Sequence, residues 1–595
     1  MPTKIHERLW EEPGPAQDGE SAPKLLILYP EEEMEPHWAG VMRYAGRVEP
    51  EDVAVTLNGE KLKVWPGGVF TGLHSIPAGK VDKWRFRATA KGETTTVTRE
   101  VRRKDPPEPP PPWPLAFDAN PVQPTGDYLL PEGEKLKVTL FASVGHRAYA
   151  RIGEDGDWQS MQAEDSDPSE GGRYMLEVTP PPIRDGLHPI HFRLKGEMDG
   201  LKQTKEMKSV LRVGARPKGM LYGGRINHYL ATFLKNASSS DWERWGNWPE
   251  GTLFPIVEMR GERVRADFGR GETGWIGIEH ADIDWKVPYC PIPIPEPELN
   301  ALGNGRIRLE SPTQAVPIAC VFHHVPEPDG DRLRISLPGV AAVRADKTYD
   351  VKTSRGFEAL RLLRGGGGVP VIESQLSEPL WGFAMLSGPA MGIELRVRPD
   401  LKEATDEEPL KGLRVMVDAG HGGGESLGAL GPSGLTEADA NLVQAAWLER
   451  HLLAHGAEVR QTRRDHSDVD LDERCKLADQ WDPDLFISLH HNSVGFIASP
   501  LADRGPKLFY HYEHSRPLAE AVAAALTEEM TPGEKPRVIA KNFRVNRNIS
   551  LCPSILVETA FVCHPEDEYL LRQTSTHQRS ARAIAEAVVE YVRGK

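Results

Sequence analysis

No run of the 595-residue chain approaches the ~18 consecutive apolar residues that a membrane-spanning helix needs, so no span is expected. The opening stretch MPTKIHERLWEEPGPAQDGE has no apolar segment of the kind a secretory signal carries. Cysteine is scarce: Cys290, Cys320, Cys475, Cys552 and Cys563 are scattered, and no CxxC pair occurs, which excludes a disulfide framework and a cysteine-rich metal cluster. Positive charge is outweighed, 72 Lys and Arg against 87 Asp and Glu, for a formal net charge of −15. Nucleic acid is therefore not expected as a partner, because phosphate binding needs a basic surface. What the chain does have is punctuation, with 51 prolines and 56 glycines, alongside the 39% hydrophobic and 27% charged content of a folded protein. Its length suggests about four domains at roughly 150 residues each.

The pattern along the chain predicts a multidomain protein: several small all-β modules followed by a C-terminal α/β domain. Residues 1–35 are polar and acidic and read as a flexible tail. Over 36–105, Val53, Val55 and Leu57 alternate with polar residues ahead of the hairpin signal Asn58-Gly59, which predicts a β-sandwich. The proline run in 106–115 reads as a semi-rigid linker, and a ligand for a proline-binding domain is the less economical alternative. Residues 116–214 predict a second β-sandwich, 218–286 a small barrel and 300–398 a further β domain. Trp242, Trp245 and Trp248 near the barrel suit either stacking on sugar faces or a structural cap. Residues 399–411 are an acidic linker.

From 412 to 595 strands and helices alternate, with helices expected from near Thr436 to Gly456, at 471–481, 517–529 and 578–592. A helical stripe of Ala438, Leu442, Ala445, Leu448 and Leu452 faces the core. His421 follows the apolar run Val415–Val417, His490 ends Leu485–Leu489, and Glu558 ends Ile555–Val557. Ligands gather at the carboxyl ends of strands in such sheets. Two imidazoles and the Glu437 carboxylate match the donor set of a catalytic zinc site, leaving Glu558 free to move a proton. Glu437 taken alone is also explained as a first-turn acid beside a Thr436–Asp439 cap. Adjacent His490 and His491 point opposite ways on a strand, so one faces a metal and the other does not. Cys552 and Cys563 offer a rival nucleophile, but no oxyanion motif accompanies them. The glycines around His421 lack the spacing of a nucleotide loop.

Four ordered blocks, VMVDAGHGG at 415–423, GLTEADANL at 434–442, SLHHN at 488–492 and PSILVETAF at 553–561, strongly resemble the zinc-dependent N-acetylmuramoyl-L-alanine amidases. The resemblance implies one Zn²⁺ held by His421, Glu437 and His490, with Glu558 as the catalytic glutamate. It implies cleavage of the amide between the muramic acid lactyl group and L-alanine, peptidoglycan as partner and an envelope, periplasmic or extracellular location. It identifies no activator protein. His491 and Cys563-His564 depart from the family's usual residues at positions that are not ligands. Upstream, 36–105 is similar to a bacterial immunoglobulin-like module, 218–286 to a bacterial Src-homology-3-like wall-targeting barrel and 300–398 to the AMIN module. These resemblances imply targeting to the wall; the alternative is a wall-binding scaffold with a silent amidase domain. Between His490 and Glu558 one strand and one helix are expected, without a further helix to plug the site.

Overall fold

The computed structural model describes residues 22–594 apart from 33–38, 78–80, 105–107, 165–170, 184–185, 209, 238–243, 270, 294–295, 312–316, 318, 327–329, 342, 366–368, 387–390 and 425. The chain divides into two compact units, one of Met1–Asp105, Leu380–Phe383 and Arg398–Lys595, the other of Pro106–Pro379 and Ala384–Val397. Among the described residues most elements are β-strands, and the helices of any length lie in the C-terminal region.

That region is built on one six-stranded sheet of β1 (Arg414–Ala419), β2 (Glu458–Gln461), β3 (Leu485–Asn492), β4 (Lys507–Tyr510), β5 (Val538–Ala540) and β6 (Ser554–Phe561), in the order β2-β1-β3-β6-β4-β5. β2, β1, β3 and β6 are parallel, and β4 runs against β6. β6 is buried at every position and β3 from Leu485 to Leu489, the near-continuous apolar character of strands covered on both faces.

Helix α1 (Glu437–Ala454) begins where expected because the Thr436 hydroxyl caps it, accepting from the Asp439 N–H at 3.2 Å. It stops before Gly456, whose φ of +88° breaks the helix. The stripe differs from expectation: Leu442 is half-buried, while Asn441 and Gln444 are buried. Gln444 is tolerated there because its amide pairs with the Thr559 hydroxyl at 2.8 and 3.0 Å and reaches Ser580. The other expected helices are α2 (Leu471–Trp481), α3 (Arg516–Met530) and, near the C-terminus, Thr574–Arg593. Between β4 and β6 the structure adds to the expected strand and helix the three-residue β5 and a five-residue helix at Arg544–Asn548. Both are too short for any hydrophobic period to announce them.

In the same unit, the N-terminal module has two sheets. One joins Lys24–Tyr29, Val41–Glu49 and Val69–Ser75; the other joins Glu60–Lys61, Ala54–Leu57, Val81–Ala90 and Glu93–Arg102. Val55, Phe70, Trp84 and Phe86 meet between them. The expected tail over 1–35 is corrected at Lys24–Tyr29, where KLLILY pairs antiparallel with Val41–Glu49; the rest of that stretch is largely outside the described residues. An apolar run of this kind gains more as a paired strand than in solvent.

In the other unit, the boundary expected between 214 and 218 is crossed by a single 13-stranded sheet. Gly126–Pro131 pairs with Leu211–Arg216 on one side and Leu253–Gly261 on the other. The proline stretch is not a free spacer, since the Pro111 carbonyl accepts from Ser143 Oγ and the Pro112 carbonyl lies 2.8 Å from His146 Nε2. Trp248 is buried and donates Nε1–H to the Cys320 carbonyl, a core position. Trp242 lies outside the described residues. Residues 298–376 and 391–397 contribute further antiparallel strands.

Candidate active site

His421, Glu437 and His490 converge at the carboxyl edge of the sheet, one donor atom from each lying within 4.8 Å of the others. Each arrives by a different route. His490 ends the apolar core of β3, Glu437 opens α1, and His421 sits two residues beyond β1 with a left-handed φ of +59°. That conformation is unfavourable for a side chain larger than glycine and is held by its surroundings. Arg474 donates to the His421 carbonyl at 2.6 Å and to the Ala419 carbonyl at 2.8 Å. Arg463 donates to the carbonyls of Ala419, Gly420 and Ala438.

Glu437 Oε1 lies 3.2 Å from His421 Nε2 and 2.9 Å from His490 Nδ1, and Oε2 accepts from the Ala429 N–H at 2.9 Å. Burial pushes the Glu437 carboxyl up, but the bonds to His421 and His490 outweigh it and hold it well below the usual carboxylate range. Donors bound at ~2.1 Å to a tetrahedral ion stand about 3.4 Å apart, so these separations fit one small cation. The three residues therefore fit Zn²⁺ by donor type and by spacing.

Glycines make the room. A Cβ on Gly420 would come within 2.2 Å of His490 Nε2, and one on Gly428 within 2.6 Å of Glu437 Oε2 and 2.7 Å of His421 Cδ2. Gly428 was not singled out in the sequence, because it lies in an irregular segment.

Glu558 pairs in register with His490 across β3 and β6. It is 9% exposed, and its Oε2 has no hydrogen-bond partner among the described residues. Burial, then the nearby Glu437 carboxylate, hold its carboxyl well above the ordinary range, a carboxyl environment suited to holding a proton. His491, as alternation requires, faces away into the protein: its Nδ1 lies 2.7 Å from Asn441 Oδ1. Asn441 Nδ2 donates to the Gly420 carbonyl, which turns its oxygen to His491 and puts the proton on Nδ1. Burial, then His577, lower the His491 pKa to about 3, so it stays neutral.

Beneath the cluster Asp418 is buried and accepts from Arg474 Nη1 at 2.5 Å, Thr462 at 2.6 Å and Ser488 at 2.6 Å. Burial opposes its charge, but these partners hold its pKa below the ordinary value. Asp418, Arg463, Arg474 and Asn441 were not identified from the sequence as site residues. Asp418 at the end of an apolar strand was the one visible signal.

Two half-buried histidines and a buried carboxylate thus meet at the carboxyl edge of a mostly parallel sheet, where enzymes of this architecture bind their ligands, and together they form a donor set able to hold one metal ion. The family model described as N-acetylmuramoyl-L-alanine amidase matches residues 415–590. Over 200 residues the chain is 32% identical to the uncharacterized protein YqiI of Bacillus subtilis, covering 34% of this chain and 93% of that protein. It is 30% identical over 209 residues to the N-acetylmuramoyl-L-alanine amidase LytC of Bacillus subtilis, covering 35% of this chain and 40% of LytC. Among solved structures, the amidase AmiC2 of Nostoc punctiforme matches at 31% identity and a TM-score of 0.29, covering 30% of this chain and 97% of that one. This chain is also 30% identical over 219 residues to the N-acetylmuramoyl-L-alanine amidase AmiA of Escherichia coli, covering 30% of this chain and 75% of AmiA. The chain belongs to the N-acetylmuramoyl-L-alanine amidase family, and its C-terminal region carries that family's enzyme domain.

Proposed function

We propose that this protein is a zinc-dependent peptidoglycan hydrolase that cuts the amide between N-acetylmuramic acid and the L-alanine of the stem peptide. The observation that carries the reading is the convergence of His421, Glu437 and His490 beside buried Glu558, whose Oε2 has no hydrogen-bond partner among the described residues. His421, Glu437 and His490 would hold the ion, which when bound would supply Lewis acidity toward the scissile carbonyl and the attacking water. The bonds to His421 and His490 keep Glu437 ionised, the Ala429 N–H aims its other oxygen, and Gly420 and Gly428 leave the ligand side chains their space. Glu558 takes a proton from the attacking water and returns it to the departing L-alanine nitrogen, so one carboxyl serves as base and then acid. The low dielectric around it strengthens both roles.

The upstream β-modules direct the enzyme to the wall, which places it in the cell envelope or outside the cell. Among the described residues no helix is long and apolar enough to cross a membrane. Incubation of the zinc-loaded chain with sacculi is expected to release free stem peptides without new reducing sugar ends. Release of reducing ends alone assigns a glycosidase instead, and no release leaves a binding protein.

A further inference from the structure

The N-terminal β-module touches the segments that follow all three strands leading to site residues. After β1, Leu28 Cδ1 lies 4.0 Å from where a Cβ on Gly434 would stand. After β3, the Phe496 carbonyl accepts from the Arg43 N–H at 2.8 Å, and the Phe496 ring meets Tyr29 edge-on at 5.1 Å. After β6, the rings of Trp65 and His564 are 6.3 Å apart. The Arg43 guanidinium lies against two of these rings, 5.5 Å from the centroid of Tyr29 and 5.1 Å from that of Phe496.

Arg43 is only 4% exposed, and among the described residues its Nε and Nη1 have no acceptor. Buried guanidinium donors left unmatched are costly, and the group that satisfies them best is a carboxylate. Beside it Phe496 is 42% exposed and Ile497 54%, an apolar shelf in the loop that leaves β3. A basic group next to such a shelf, on the side of the sheet where the site opens, suits a peptide that carries a free carboxylate.

We propose that Arg43 is a specificity residue of the amidase, taking a carboxylate of the peptide substrate while Phe496 supports the neighbouring apolar part of the chain. The N-terminal module is then a wall of the substrate cleft. This rests on the amidase reading above.

The test uses the full, zinc-loaded chain and two soluble N-acetylmuramoyl peptides that differ only in whether a stem carboxylate is free or amidated. The wild type is expected to prefer the free acid by about tenfold in kcat/KM, the size of one charged hydrogen-bond pair. Arg43→Gln is expected to bring the ratio close to one, and Arg43→Lys to restore part of it. A wild type without preference, or an unchanged ratio in Arg43→Gln, overturns the inference. Should Arg43→Gln fail to fold, Phe496→Ala decides: a reduced ratio supports the assignment and an unchanged one overturns it. If the wild type releases peptide from neither substrate, the amidase reading itself falls.

Discussion

The strand Val81–Ala90 of the N-terminal module and the strand β6 of the amidase domain bury their residues differently. In the first, Trp84, Phe86 and Ala88 are buried, and Lys83, Arg85 and Arg87, which alternate with them, are exposed. In the second, all eight residues are buried, Glu558 among them. On an antiparallel strand with one wet face, a charged residue is explained by solvent alone. On a strand covered on both faces, a charged residue costs several kcal/mol unless something pairs with it or uses it. Polarity is therefore informative in one region and nearly silent in the other.

Four changes sharpen or break that contrast. The largest effect is expected at Glu558: Glu558→Gln should lower kcat by about a thousandfold, within the usual range for a lost general acid–base, with bound zinc unchanged by metal analysis. Loss of zinc together with activity would make Glu558 a ligand instead. Next, Arg474→Ala takes the paired guanidinium from buried Asp418 and leaves its charge only the Thr462 and Ser488 hydroxyls, and should cost about 3–5 kcal/mol in urea unfolding. A loss below about 1 kcal/mol would show that the buried network is not fastening the His421 segment.

The third concerns pH. Burial raises the Glu568 carboxyl to about 7, while its bonds to Ser433 pull the other way. The folded state thus prefers the protonated form. Its contribution is complete below about pH 4.5 and lost as pH rises through about 7, a difference on the order of 3 kcal/mol. Buried His577 has the opposite sense. Its pKa is lowered to about 4, so its contribution is present above about 6.5 and lost as pH falls through 4. Unfolding measured from pH 4 to 8 should show Glu568→Gln removing the alkaline decline and leaving the acid one. The smallest effect belongs to the antiparallel strand, where Arg87→Ala should stay within about 0.5 kcal/mol of wild type by the same measurement.

The same contrast explains what the sequence discloses. His490 and Glu558 stand out because each interrupts an apolar run, and His421 because glycines crowd it. Arg463 and Arg474 do not, since an arginine on an exposed surface has the same spelling; only the fold shows both turned inward onto the carbonyls of 419–421. Asn441 and Gln444 lie in the helical pattern as ordinary polar residues, and their burial depends on Gly420, Thr559 and Ser580, which are distant in the chain. Periodicity alone puts Leu442 on the buried stripe, whereas in the fold it is half-buried beside buried Asn441 and Gln444. β5 and the helix Arg544–Asn548 lack the length to show a period. In the upstream modules alternation and turn residues reveal strands, but pairing partners are long-range and left no local trace.

The sheet that runs through Gly126–Pro131 has a consequence for how this protein can be divided. That strand is shared property: Leu211–Arg216 takes one side of its backbone and Leu253–Gly261 the other, with Gly126 close against Gly261. A cut near Pro217, where the sequence suggests a seam, would strip a row of amides from one fragment and their acceptors from the other. Each bare edge is an invitation to polymerise. Evolution, like the experimenter, must therefore exchange residues 116–286 as one piece, so the smallest interchangeable part is the sheet rather than the domain suggested by spacing.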